Sequence, residues 1–254
     1  MVQIDEKRKK MERNKLSLRL EIGALLTIIY AFLELISNQY MFIPGVVGLR
    51  LMNALPIGYG LLFGRVGACA CALGTIFGQA SHLDAMTIGS SLGAFGAAYV
   101  PFRIWQGLRS DREPEIVLAD VRTGIMFAVL AVCAAVPPAV FIAVFADKLE
   151  LSPFVQTYGI VLLQAVLASV VVGGLLYKVI SPRFLIGINH DLWLLIKDEK
   201  TATRRLSIAL LRITITAMCV GMLFVAVMSA EFNQDVIIYT MAILGVAVLT
   251  LANW

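Results

Sequence analysis

The chain has 254 residues, of which 59% are aliphatic, aromatic or cysteine and 15% are charged, with a formal net charge of +4 and a mean hydropathy of +0.86. A water-soluble domain of this length carries fewer apolar and more charged residues, so a soluble fold is excluded. Lipid offers no partner to unpaired backbone amides and no alternating strand pattern recurs along the chain, so the reading is an all-α integral membrane protein.

A helix needs about 20 apolar residues to cross roughly 30 Å of hydrocarbon. Stretches that meet or approach this lie at residues 16 to 37, 48 to 80, 86 to 108, 123 to 146, 154 to 180, 206 to 229 and 236 to 253. Residues 1 to 15 precede the first as a basic tail with Lys7, Arg8, Lys9 and Lys10, a solvated segment that sets topology and favours anionic membrane lipid. The first apolar run is longer than a signal-peptide core and no small-x-small site precedes Ser37, so it is expected to stay as a helix. The second stretch is either one long helix or two short ones broken at residues 63 to 67, where Gly64 and Gly67 flank Arg65.

Charge decides between these, because Lys and Arg accumulate on the cytoplasmic side. With the break there are eight helices, and a cytoplasmic N-terminus leaves only Arg50 and Lys148 of the 21 basic residues outside. Without it, Arg65 is stranded at mid-membrane at a cost of roughly 3 kcal/mol. The expectation is therefore an eight-helix, multi-pass protein of the cell (inner or plasma) membrane with its N-terminus in the cytoplasm. Further along, Pro137 and Pro138 fall within a helix and predict a kink. Residues 184 to 196 are too short and polar to span and read as a helix along the inner surface. Composition divides the chain into the tail, six closely linked helices over 16 to 181, a cytoplasmic amphipathic segment over 182 to 205, and two additional helices over 206 to 254.

The most distinctive run is Phe42-Ile-Pro-Gly-Val-Val-Gly-Leu-Arg-Leu-Met-Asn-Ala-Leu-Pro-Ile-Gly-Tyr-Gly-Leu-Leu-Phe-Gly-Arg-Val-Gly-Ala68. It describes an outer Pro-Gly turn, a short helix begun near Arg50, an inner glycine-rich corner and a third helix able to pack closely on its neighbours. Gly89-Ser-Ser-Leu-Gly-Ala-Phe-Gly-Ala-Ala-Tyr-Val-Pro-Phe-Arg-Ile-Trp105 then ends a fourth helix with an aromatic and basic interfacial belt. Together, over residues 16 to 181, these resemble the substrate-binding S components of energy-coupling factor transporters. That resemblance implies a six-helix S-component-like bundle, uptake of a vitamin or other micronutrient bound near the outer face, and energy from a separate transmembrane coupling subunit and ATPase subunits. The sequence departs from the family at Arg65, where proline is usual, at Gln79, where an acidic residue often stands, and in the helices added after residue 181. Gly23, Ala24 and Ala31 are the small residues on the first helix that could dock on a coupling subunit.

Polar groups inside a membrane are costly, so each raises the question of its partner. Toward the outer face these are Glu34, Asn38, Gln39, Arg50, Asn53, Gln79, His82, Asp84, Gln156, Tyr158 and Gln164. If they converge, they form a shallow outer cavity for a small polar ligand, with Arg50 holding a carboxylate or phosphate. If they do not, Glu34 pairs with Arg50 and the amides cap helices. His82 and His190 fall on opposite sides and cannot share a haem, and no metal cluster is visible. The glycine-rich pieces lack the GxxxxGK[ST] order of a phosphate loop. No nucleophile and base stand at one depth, so no cofactor, no enzymatic activity and no nucleic-acid binding are expected. Cys69, Cys71, Cys133 and Cys219 lie in apolar runs and read as small packing residues. Two readings remain: the solute-binding subunit that the resemblance implies, and a non-catalytic accessory subunit or sensor module of a larger membrane complex built on the same scaffold.

Overall fold

A computed structural model describes residues 2–39, 51–108 and 121–187, together with the helical positions 209, 211, 212, 214 and 216. The expected outer turn with Arg50, most of the amphipathic segment and the last helix lie outside the described residues. Helix α1 (Val2–Gln39) begins within the basic tail, so tail and first span are one continuous helix. A 3-10 turn (Leu51–Ala54) leads into α2 (Leu55–Gly78), a second such turn (Ala80–His82) into α3 (Ala85–Leu108), and α4 (Val121–Lys148) follows. Helix α5 (Phe154–Leu167) then passes through a π-helical stretch (Ala168–Gly173) into α6 (Gly174–Gly187) without interruption. No strand occurs among the described residues.

By length and composition, Ser17–Ser37, Met52–Gly78, Val121–Lys148 and Phe154–Ile180 are each able to cross a membrane. Their outward side chains agree. Leu25, Ile28 and Phe32 on α1 and Leu163 and Val171 further on are all exposed, an apolar surface that water would not tolerate and lipid covers. The chain is a helical membrane protein.

Although Met52–Gly78 has the length of one span, its backbone reverses. Gly64 sits at φ 61°, ψ −131°, a region that only glycine adopts without strain. Three residues later, a Cβ on Gly67 would run into the carbonyl of Tyr59, although in a straight helix those residues stand about 12 Å apart. Asn53 and Thr75 likewise line one cavity, where a straight helix would separate them by more than about 30 Å. Residues 55 to 63 and 65 to 78 are therefore two antiparallel arms, and the break expected at residues 63 to 67 falls at Gly64, with Arg65 exposed beside it.

The register of the bundle follows from its small residues. Gly23, Gly74 and Gly78 face Val66, Tyr30 and Glu34 in turn, so α1 runs parallel to the second arm. Gly60 faces the Ala98 carbonyl and Gly64 the ring of Phe102, so α3 runs parallel to the first arm. Along α3, Gly89, Gly93 and Gly96 face Phe145, Pro138 and Pro137. Helix α4 runs on through both prolines, and their rings fill the room that the α3 glycines leave. A hydrogen-bonded αL turn ends α4: Glu150 has φ 55°, and the Leu151 amide returns to the Ala146 carbonyl at 3.0 Å, which satisfies a terminal carbonyl.

The largest core cluster joins Ile57, Leu61, Ile104, Phe127, Leu130 and Tyr177, and Leu211 packs into it. Thr214, also buried, donates to the Leu211 carbonyl at 3.0 Å, and its hydroxyl lies 3.5 Å from the Cys133 sulfur. Leu211 and Thr214 thus meet the bundle, Thr214 on α4.

Candidate ligand cavity

Where both arms of α2 meet α1, α3, α4 and α5, the packing leaves a cavity of about 30 Å³. At ~10–15 Å³ per water, this is room for about two water molecules. Its walls combine apolar surface from Met52, Ala94 and Pro138 with polar groups from Tyr30, Glu34, Asn53, Thr75 and Ser90.

Each polar wall is positioned by a local device. Glu34 stands one helical turn beyond Tyr30 on α1, and Gly74 and Gly78 repeat that spacing on the second arm. A Cβ on Gly78 would lie 2.6 Å from the Glu34 Cβ, and one on Gly74 would lie 2.8 Å from the Tyr30 Cβ. The close approach buries Glu34 to 5% exposure and lets Gln79, at the end of α2, donate from Nε2 to its Oε1 at 3.1 Å. Asn53 is fixed from the opposite side. Its carbonyl accepts the Ser169 hydroxyl at 3.0 Å, and the π-helical stretch allows this approach, with Gly173 abutting the Ala54 carbonyl. Thr75 donates to the Cys71 carbonyl at 2.9 Å and is hydrogen-bonded to the Tyr30 side chain.

Of the residues expected to converge, Glu34, Asn53 and Gln79 are brought together here. Asp84 serves another purpose: its carboxylate accepts the Thr87 amide at 2.8 Å and the Thr87 hydroxyl at 3.1 Å, capping α3. Gln156 is exposed on the first turn of α5. Tyr158 is buried and stacks on Phe154 at 5.7 Å between ring centres. Gln164 precedes the cavity-lining Ala165, and its Nε2 is buried with no hydrogen-bond partner among the described residues. Arg50 and the side chains of Asn38, Gln39 and His82 lie outside the described residues. Sequence reasoning passed over Tyr30, Thr75 and Ser90. The signal for Tyr30 was present in the matched four-residue spacings Tyr30/Glu34 and Gly74/Gly78.

No family model, curated protein or solved structure matches the chain. The resemblance over residues 16 to 181 accordingly rests on its sequence motifs alone. Chemically, the cavity offers one carboxyl group, hydroxyl and amide groups and an aromatic ring, with apolar surface between them, an arrangement suited to binding a small polar solute.

Proposed function

We propose that this protein is the membrane-embedded, solute-binding subunit of an ATP-driven uptake transporter, with eight helices, a cytoplasmic N-terminus, and energy supplied by separate coupling and ATPase subunits. One observation carries the reading: a buried carboxylate and four further polar groups face a single cavity at the junction of the helices. A purely structural bundle has no need to gather costly polar groups at one point inside the membrane. The order of motifs over residues 16 to 181 supports the transporter class, and the reversal at Gly64 agrees with the glycine-rich corner those motifs imply. A vitamin or similar micronutrient is larger than the cavity, so its entry separates Glu34 from Gln79 and moves α1 from the second arm.

A second reading, an accessory subunit or sensor of a larger membrane complex, is favoured by the cavity's small volume and by the packing of Leu211 and Thr214 on the bundle. Affinity purification of the full chain from its native membranes in mild detergent, with mass spectrometry of proteins and small molecules, decides between them. Co-purified ATPase subunits, or a retained solute lost in Glu34→Gln and Arg50→Ala, support transport. Stoichiometric recovery with an unrelated membrane complex and no solute replaces it with the accessory reading.

A further inference from the structure

The chemistry of the cavity also specifies the class of solute, an inference that rests on the solute-binding reading above. Among the described residues that line it, Glu34 is the one carboxylate and there is no Lys, Arg or His. A carboxylate held inside a membrane bundle is stabilised by a cation, yet its hydrogen-bond partner here is the neutral amide of Gln79. That amide N–H occupies the place a cationic donor would take. An anion entering the same space would meet the Glu34 carboxyl group and, among the described residues that line it, no basic side chain.

We propose that the cavity binds the protonated amine end of a small solute, whose N–H groups displace Gln79 from Glu34. An ammonium group needs three acceptors. Glu34, Asn53, Thr75 and Ser90, all with oxygen-bearing side chains, line the same space, and Tyr30 lines it as well, an aromatic residue of the kind that attracts cations. A volume of about 30 Å³ admits a group of about two heavy atoms, by the rule of ~10–15 Å³ per water. Methylammonium has that size and charge and serves as the probe.

The full chain in lipid nanodiscs is titrated with methylammonium chloride over a constant sodium chloride background, with sodium acetate as the anionic control. Binding is read by calorimetry and by the unfolding transition. Saturable methylammonium binding is expected, with none for acetate. Glu34→Gln keeps the side chain's shape and is expected to weaken binding at least about tenfold, as loss of a charge-assisted contact implies. Gln79→Ala removes the competing donor and is expected to tighten it, so the sign of that change tests the idea even if Glu34→Gln folds poorly. Absence of a methylammonium response, a response that survives Glu34→Gln, or binding of acetate overturns the assignment. If a solute or ATPase subunits co-purify while methylammonium fails, the amine class falls and the transport reading stands. If Glu34-dependent methylammonium binding is found in a chain that purifies only with an unrelated complex, the amine site stands and transport falls.

Discussion

Gln164 buries an amide nitrogen that no group among the described residues accepts, and a buried unpaired donor costs about 1–3 kcal/mol. Gln164→Leu replaces it with an apolar side chain of similar volume, so the empty protein is expected to gain about 1 kcal/mol against SDS or thermal unfolding. The opposite sign is expected at Gly78. There an added methyl meets the Glu34 Cβ at 2.6 Å and the Ala31 carbonyl oxygen at 3.1 Å, and neither is the free end of a flexible side chain. Gly78→Ala is expected to destabilise by about 1–3 kcal/mol, the usual range for overpacking. Because the strain forces α1 and the second arm apart, it also lengthens the bond from Gln79 to Glu34. A stability loss at Gly78 no greater than that of an Ala substitution at exposed Gln156 would show that this contact does not set the spacing. The convergence of Glu34, Asn53 and Gln79 was legible because a polar side chain within an apolar run is conspicuous. Tyr30, Thr75 and Ser90 were not, because each resembles ordinary helix packing until the register of its neighbours is known.

At the scale of elements, the fold turns on the reversal inside Met52–Gly78. Two glycines flanking an arginine made the break legible, since a straight helix would strand Arg65 in the bilayer. What the sequence did not disclose is how the break is held. Gly64 takes a left-handed φ, and a Cβ there would also lie 3.1 Å from the Phe102 ring. Gly64→Ala therefore carries backbone strain of about 1–3 kcal/mol as well as the clash. Pairing it with Phe102→Leu relieves the clash alone, so the double variant is expected to stay destabilised in unfolding measurements. Full recovery in the double variant would assign the whole cost to the ring. The prolines of α4 illustrate the same division between local and tertiary information. Their presence predicted a kink, but their seating against Gly93 and Gly96 depends on a neighbouring helix. The π-helical stretch at Ala168–Gly173 left no trace in hydropathy, because residues 154 to 180 are apolar throughout and an extra residue in one turn does not change that composition.

At the scale of the whole molecule, the arms, α3 and α4 fix which positions share an end. Gly78 lies beside Glu34 near one end of α1, and Gly89 faces Phe145 near the end of α4, so the Ala80–His82 turn and Leu149 belong together. Arg65, at the reversal, belongs to the opposite end, with the close of α3 and the start of α4. Single cysteines at these positions test this. In a background with Cys69, Cys71, Cys133 and Cys219 replaced by alanine, Arg65→Cys and Leu149→Cys are exposed to a membrane-impermeant maleimide before and after permeabilisation. On the proposed orientation, with the basic residues and Arg65 on the cytoplasmic side, Leu149→Cys is expected to react in intact cells and Arg65→Cys only once the membrane is opened. The reverse pattern would keep the hairpin but invert the protein, moving the Glu34 cavity toward the cytoplasmic half and removing the basis for uptake from outside. Protection of position 65 under both conditions would place it within the hydrocarbon and require a straight helix through Gly64. A straight helix cannot bring Asn53 and Thr75 to one cavity, so that result would dissolve the binding site together with the topology.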